Sequence, residues 1–336
     1  GPQSAGAVPG PVCYGAGGTE PTVTDACVTL GYLDPGYFLG GNMDIDAAGA
    51  RKAVEDHVAT PLGLSVEAAS AAILSVATEN MVQAISDITV DQGIDPADAV
   101  LIGGGGAAGL NSIYIARRLG CPTLLIPETG AGLSAAGALM TDLTNEYRAT
   151  FFTTSDAFDE NGVNRTLEGL RAEAQAFIDG PGSNAVSSRV EFAVEARYAS
   201  QVWEIEVPLP MDRFTDAEQL ASLNEAFHAM HERIFAIRDP GSVIEYVGWT
   251  ATARCGLRDG GPGRLVAGKG HDVAATRRVY FADDGMVDAA VHDFETMTAG
   301  QSNQGPAIIE SPFTTVIADS ATRFERTEFG SLLMRP

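Results

Sequence analysis

The chain has 336 residues, of which 45% are hydrophobic and 19% charged, with a formal net charge of -23. That length can bury a full core and by length alone falls into two domains, and the apolar fraction excludes a disordered chain. The acid excess opposes nucleic-acid backbones and anionic membrane surfaces, so neither is an expected partner, whereas a nucleotide held by backbone amides and one local cation is compatible with it. Lys52 and Lys269 are the only lysines. Cys13, Cys27, Cys121 and Cys255 form neither a CxxC pair nor a disulfide framework, which predicts reduced thiols in a cytoplasmic protein. No run reaches the roughly 18 apolar residues of a membrane span, and GPQSAGAVPGPVC has neither the basic start nor the apolar run of a secretion signal. With no initiator Met, it reads as the continuation of a longer coding sequence.

In chain order, residues 1 to 43 are rich in Gly and Pro and read as shaped loops that line a site or lean on a preceding segment. MDIDAAGARKAVEDHVATPLG follows as a helix capped by Asp46. Residues 65 to 93 form the clearest helix, with Ser65 as cap, Glu67 in the first turn, and Ala69, Ile73, Val76, Asn80, Ala84 and Ile88 on one stripe. DPADAVLIG supplies a turn and a strand, GLNSIYIARRLG a short helix, CPTLLIPE a second strand, and GAGLSAAGALMTDLTNEYRA a helix entered through glycine. Strand, helix, strand, helix at this spacing predicts an α/β layer with a parallel sheet.

The pattern changes between residues 141 and 185, where the domain boundary is expected. VNRTLEGLRAEAQAFIDG reads as a solvent-faced helix, and RVEFAVEARYASQVWEIEVPLP alternates like a half-exposed antiparallel sheet. Residues 216 to 237 return to helix. VIEYVGWTATARCGL, DVAATRRVYF, GPAIIES and TTVIADS are further strands.

LIGGGGAAGLN, residues 101 to 111, carries the chemistry. Gly104, Gly106 and Gly109 match GxGxxG after a strand and before a helix, with Glu128 at the end of the next strand, as an NAD-dependent oxidoreductase would require. Against that reading, about 100 residues precede the motif, whereas a typical dinucleotide domain opens with it. No GK[ST] follows any glycine run, so a Walker loop is excluded. The plain alternative is that these glycines let a helix approach a strand closely. A second hinge, ETGAGLSAAGAL, favours a nucleotide, because two helix starts beside neighbouring parallel strands can share one anion or sugar site.

Asp25, in TVTDA, is a candidate to hold a hydrated Mg2+ or orient substrate; the alternative is a carboxylate that accepts backbone hydrogen bonds in a turn. His228 and His231 lie three apart on a helix, where they could share a metal, but no third ligand follows at a recognisable spacing. No GxSxG elbow is present, and no cysteine is paired with a base.

Several stretches together resemble the C-terminal half of the N-methylhydantoinase A and 5-oxoprolinase family, which includes acetone and acetophenone carboxylase subunits. They are GPQSAGAVPGPVCYGAGGTEPTVTDA, LGYLDPGYFLGG, LIGGGGAAGLN with IARRLGC, GAGLSAAGAL, RYASQVWEIEVPLP, VYF, GPAIIESPFTTVIA and FGSLL, in the family's order along nearly the whole chain. The resemblance implies an α/β chain: part of an actin-like ATPase fold over residues 1–145, followed by a β-rich α+β domain over 146–336. It implies ATP and Mg2+ as cofactors and a small carbonyl or lactam substrate. Gly103, Gly104, Gly105, Gly106 and Gly109 would form the adenosine-side loop, Gly130 to Gly137 the second connecting helix, and Asn111 a hydrogen-bond partner for ribose or base.

The family's DxGGT phosphate motif is not in this sequence, so the phosphate-holding half is expected from a separate chain or a removed segment, with a hydantoinase B-like subunit as a further partner. Asn111 stands where relatives often carry the His of GGAGPLHA, and Ser200 stands where RYxGQ has glycine. AAGLN with IARRLG, and GYLDPGYFLGG, look somewhat more like the ketone carboxylase branch than the hydantoin or 5-oxoproline hydrolase branch. A non-catalytic scaffold half remains the third expectation.

Overall fold

The computed structural model describes residues 4–259 and 270–336, and the chain divides into two compact units, Gly1–Ala138 with Gly263–Pro336, and Leu139–Pro262. The first unit begins within the glycine-rich stretch, which holds more order than a loop: α1 (Val23–Thr29) sits there. Its start is a capping box, in which Thr22 Oγ1 accepts from Asp25 N and the Asp25 carboxylate accepts from Thr22 N at 2.8 Å. α2 (Ala47–Val54) is capped by Asp46 as expected, continues through a π-helical stretch Glu55–Ala59 and a last turn α3 (Thr60–Leu62), and stops at Gly63 with φ +64°. α4 (Val66–Asp91) starts on Ser65, whose hydroxyl accepts from Ala68 N at 3.1 Å. Only the first half of its predicted stripe is covered. Ala69 and Leu74 are buried against neighbours that include α1, whereas Val76 and Ile88 are exposed.

β1 (Val100–Ile102), α5 (Ser112–Leu119) and β2 (Thr123–Ile126) form the expected βαβ unit, with Leu101 opposite Leu124 in a parallel pair. A 3-10 turn at Gly130–Gly132 leads into α6 (Leu133–Met140). Helix was expected to run on to the end of TDLTNEYRA, but β3 (Leu143–Thr154) begins there, because its Thr, Tyr and Phe residues suit a pleated surface and find a partner strand.

The second unit comprises β3, α7 (Glu160–Asp179), β4 (Ser187–Tyr198), β5 (Ile205–Leu209), α8 (Ala217–Phe235) and β6 (Ile244–Gly256), with an antiparallel sheet in the order β3-β6-β4-β5. Alternation decides which face is inside: Phe192, Val194, Ala196 and Tyr198 of β4 are buried, with Tyr246, Trp249 and Ala251 of β6. α7 is not solvent-faced as expected. Val163, Leu167, Leu170 and Ala174, spaced three to four apart, are buried in the sheet's core.

The remaining strands return to the first unit: β7 (Thr276–Phe281), β8 (Gly285–Asp293), β9 (Ser302–Gln304), β10 (Ala307–Glu310), β11 (Thr315–Ala318), β12 (Arg323–Arg326) and β13 (Leu332–Arg335). One sheet runs β11-β10-β8-β7 and the other β1-β2-β13-β12-β9. β13 lies antiparallel to β2, placing Leu332 opposite Ile126, so the parallel layer predicted from sequence is confined to β1 and β2 within that sheet. The compact units divide at 138, and the strands after residue 270 fall with the first of them. β2 needs an edge partner, and Leu332 and Met334 close its core beside Leu124 and Ile126.

No single helix among the described residues is long and apolar enough to cross a membrane, and all four cysteines are buried and unpaired.

Candidate functional site

The two glycine hinges meet. Gly103 N donates to Leu125 O at 2.9 Å, extending the β1–β2 pairing by one residue, and Gly105, at φ +124°, donates to Gly130 O at 2.7 Å. The glycines then divide by task. A Cβ on Gly103 would strike the Ile126 side chain, one on Gly104 would lie 2.6 Å from Leu133 Cδ2, and one on Gly109 would overlap Thr315 O and the Val316 backbone. Gly109 meets backbone and so serves close packing, the plain alternative to a ligand role; Gly103 and Gly104 meet only the ends of the Ile126 and Leu133 side chains, and Gly105 serves its left-handed backbone. Gly106, whose Cβ would stand 3.3 Å from Phe313 O, is the member of the series that fronts a cleft. The amides of Gly104, Gly106 and Ala107 have no protein acceptor among the described residues.

That cleft, of about 230 Å³, has Gly106 and Ala107 in its wall together with Asp34, Tyr37 and Glu310, with Phe38 and Phe313 adding apolar faces. Arg277 stands behind the carboxylates. It donates to both oxygens of buried Glu310 at 2.7 and 3.1 Å and from Nη2 to Asp34 Oδ2 at 2.8 Å. One cation between two carboxylates leaves this wall one negative charge in excess. Thr314 Oγ1 donates to Gly106 O at 3.0 Å, tying the glycine loop to the segment after β10. Tyr37 stacks on the His271 ring with centroids 3.8 Å apart, and burial, then the charges of Asp293, Glu295 and Glu310, raises its phenol above the ordinary value.

Asp34, Arg277 and Glu310 were missed from sequence. They are far apart along the chain and fit no spacing pattern, and the only signal was Asp34 within GYLDPGYFLGG, a stretch noted for its glycines.

Asp25 is placed otherwise than a catalytic role requires. It is fully buried, and its carboxylate accepts from Val12 N at 3.1 Å, Cys13 N at 2.8 Å, Thr22 N at 2.8 Å and Thr22 Oγ1 at 2.8 Å. With its lone pairs taken and no exposed face, it pins the glycine-rich entry onto α1. Burial, and then Asp25 beside it, pushes the Cys13 thiol up to about 12, so that sulfur is inert at neutral pH.

Asn111 is likewise internal: its Nδ2 reaches Thr78 Oγ1 and Met81 Sδ at 3.4 Å each, bracing α5 on α4 instead of facing a ribose. Glu128 points to Arg326 Nη2 at 3.5 Å, and with the packing of Gly109 against the Thr315–Val316 backbone this counts against the dinucleotide reading. His228 and His231 do not share a metal. Each is buried with its own partners, His228 Nδ1 with Tyr198 OH at 2.8 Å and His231 with Ile237 O at 2.7 Å and Gln201 Oε1 at 3.0 Å. Among the described residues no group of three or more His, Cys, Asp or Glu could hold a metal ion. Lys52 pairs with Asp56 at 2.8 Å, and Lys269 lies outside the described residues.

The cleft offers amide donors, aromatic faces and a carboxylate acceptor, a set that fits the uncharged adenosine end of a nucleotide. It does not fit a polyphosphate, because its cation, Arg277, is already matched by two carboxylates.

Fold and hinges together define the class as a mixed α/β chain with an ATPase-type fold. The same fold is found in the crystal structure of the ATP-dependent caprolactamase from Pseudomonas jessenii, at a TM-score of 0.74 and 34% identity over 99% of this chain and 49% of that one. Residues 1–147 match the hydantoinase/oxoprolinase family model and residues 267–328 match the model of the hydantoinase/oxoprolinase C-terminal domain. The chain belongs to the hydantoinase/oxoprolinase family.

It is 36% identical to the caprolactamase subunit alpha of Pseudomonas jessenii over 96% of this chain and 47% of that protein. It is 28% identical to the acetophenone carboxylase gamma subunit of Aromatoleum aromaticum over 99% of this chain and 47% of that one. The chain spans about half the length of these curated relatives.

Proposed function

We propose that this chain is part of an ATP-dependent enzyme that activates a small cyclic amide for ring opening, with adenosine held in the cleft at Gly106. The observation that carries the choice of branch is the 36% identity with a caprolactamase subunit over 96% of the chain, against 28% with an acetophenone carboxylase subunit over 99%. It favours the lactam branch over the ketone carboxylase branch to which AAGLN and GYLDPGYFLGG pointed.

Amide resonance makes a lactam carbonyl a poor electrophile; ATP, when bound, would supply a phosphoryl group to the amide oxygen, which opens the carbon to water so that the ring C–N bond can break and phosphate be released. The chain's own contribution is positioning. The amides of Gly106 and Ala107 donate to acceptors of the nucleoside, Phe38 and Phe313 exclude water from its faces, and the excess negative charge beside Asp34 turns the phosphates outward. The residues that grip those phosphates and their Mg2+ are proposed to come from a DxGGT-bearing segment or chain, with a hydantoinase B-like subunit completing the enzyme.

Gly106→Val tests the reading, because Gly106 lines the cleft and a Cβ there would stand 3.3 Å from the backbone oxygen of Phe313, another lining residue. In the natively purified protein with its accompanying chains, ATP affinity and ATPase rate should fall by about tenfold or more, the size of a lost well-packed contact. Unchanged binding and turnover would remove the nucleotide from this cleft and leave the scaffold reading. Product assays with ε-caprolactam, 5-oxoproline and hydantoin against acetone and acetophenone separate the branches, and carboxylation of either ketone would overturn the lactam assignment.

A further inference from the structure

The cleft's polar groups are unequally committed. Glu310 is buried and both of its oxygens take hydrogen bonds from Arg277. The Thr314 hydroxyl is spent on Gly106 O, and Ser311 Oγ accepts from Phe313 N and Thr314 N. Asp34 differs: Oδ1 accepts from Gly36 N at 2.9 Å and Oδ2 from Arg277 Nη2 at 2.8 Å, its side chain is 39% exposed, and each oxygen keeps a second lone pair. An ionised carboxylate accepts only, so whatever part of a ligand lies against it must donate. The amides of Gly106 and Ala107 line the same cleft without a protein acceptor among the described residues and can only donate, so the part of the ligand against them must accept.

We propose that Asp34, held in place by Arg277 and Glu310, reads the 6-amino group of adenine, with a ring nitrogen of the same base facing the Gly106–Ala107 amides. This rests on the reading that adenosine occupies the Gly106 cleft. Adenine presents an N–H donor beside ring-nitrogen acceptors, the complement of the Asp34 carboxylate and the two free amides, and its flat faces suit Tyr37, Phe38 and Phe313. A base with an oxygen at position 6 would set an acceptor against the Asp34 carboxylate. Arg277 is then a positioning residue: it holds the Asp34 carboxylate in place by its hydrogen bond without touching the base, and Glu310 anchors Arg277.

The test is a cycle between side chain and base, measured by calorimetry on the natively purified protein with its accompanying chains, using ATP, purine riboside triphosphate, which lacks the 6-amino group, and ITP. In the unaltered protein, purine riboside triphosphate should bind about tenfold or more weaker than ATP, the usual effect of losing a hydrogen bond to a charged group. Asp34→Ala should weaken ATP by a similar factor and bring the two nucleotides level. Asp34→Asn keeps an acceptor for Arg277 and can turn its NH2 toward a 6-oxo group, so it should move preference toward ITP; it also carries the test if the alanine variant fails to fold. An ATP preference over purine riboside triphosphate that is the same with and without Asp34 overturns the proposal while leaving the nucleotide in the cleft. ATP binding indifferent to Gly106→Val overturns the cleft assignment itself, and the role of Asp34 with it.

Discussion

Every glycine with positive φ among the described residues, from Gly6 to Gly330, lies in the first unit, and none lies in the second. The first unit turns its chain with backbone conformations other residues resist, ties the turns with buried carboxylates such as Asp25, and carries the cleft. The second turns its chain with helix caps and strand pairing: Asp159 accepts from Gly162 N at 2.9 Å and Asp216 from Gln219 N at 3.0 Å at the starts of α7 and α8, and β3, β4 and β6 pair along most of their lengths. A regular sheet over two amphipathic helices needs little besides pattern, whereas a cleft with exposed amides needs the chain bent where side chains would obstruct it.

The largest test of that contrast is Trp249→Ala. Trp249 is fully buried in the second unit and its Nε1 donates to Phe151 O at 2.9 Å. Its removal should cost about 3–5 kcal/mol there, seen as one of two calorimetric transitions moving down while the other stays. A single transition that shifts as a whole would show that the two cores do not unfold separately.

Asp25→Ala comes next. Losing the hydrogen bonds that hold the glycine-rich entry should destabilise the first unit by about 1–3 kcal/mol, read by urea denaturation, with ATP affinity at temperatures where the protein stays folded nearly unchanged. Abolished turnover in a protein of unaltered stability would instead restore a catalytic role to this residue.

The smallest effect separates the units by pH. Burial, then the Arg238 charge, lowers the pKa of His228, and burial lowers that of His292. Each is therefore favoured neutral in the fold, and for His228 the hydrogen bonding agrees, since Tyr198 OH accepts from Asp239 N at 2.9 Å and has its proton left for His228 Nδ1. The unfolded chain binds a proton near pH 6.5 before either folded site does, so both units should lose stability as pH falls through that value toward the lower folded pKa. His228→Gln should flatten the acid limb of the second unit's transition and leave the first unit's in place. An unchanged acid limb in the second unit would assign its acid sensitivity to other groups.

Much of the second unit was legible as pattern, from the alternation of RVEFAVEARY to the helix beginning after Asp216, and so were the Ser65 and Asp46 caps of the first. Local chemistry encodes these features. The return of β7–β13 to the first unit was not legible, because strand partners are chosen by shape and burial across long separations rather than by any local signal. At the site, the meeting of the two glycine hinges could be read from their spacing after β1 and β2. The division of labour among the glycines could not, since GxGxxG looks the same whether a glycine faces Leu133, as Gly104 does, or a cleft, as Gly106 does. Asp25 and Asn111 drew notice as polar residues beside glycines, yet both are turned inward, and the Asp34–Arg277–Glu310 group exists only once the chain has folded.

The pairing of β2 with β13 also sets an order of assembly. Ile126 waits for Leu332, and all strands of the second unit, from Leu143 to Gly256, are synthesised in between. On a ribosome the inserted unit can close its own sheet first, while β2 keeps an open edge until β13 emerges. The part of the molecule that carries the cleft is therefore the part longest exposed to mispairing during synthesis.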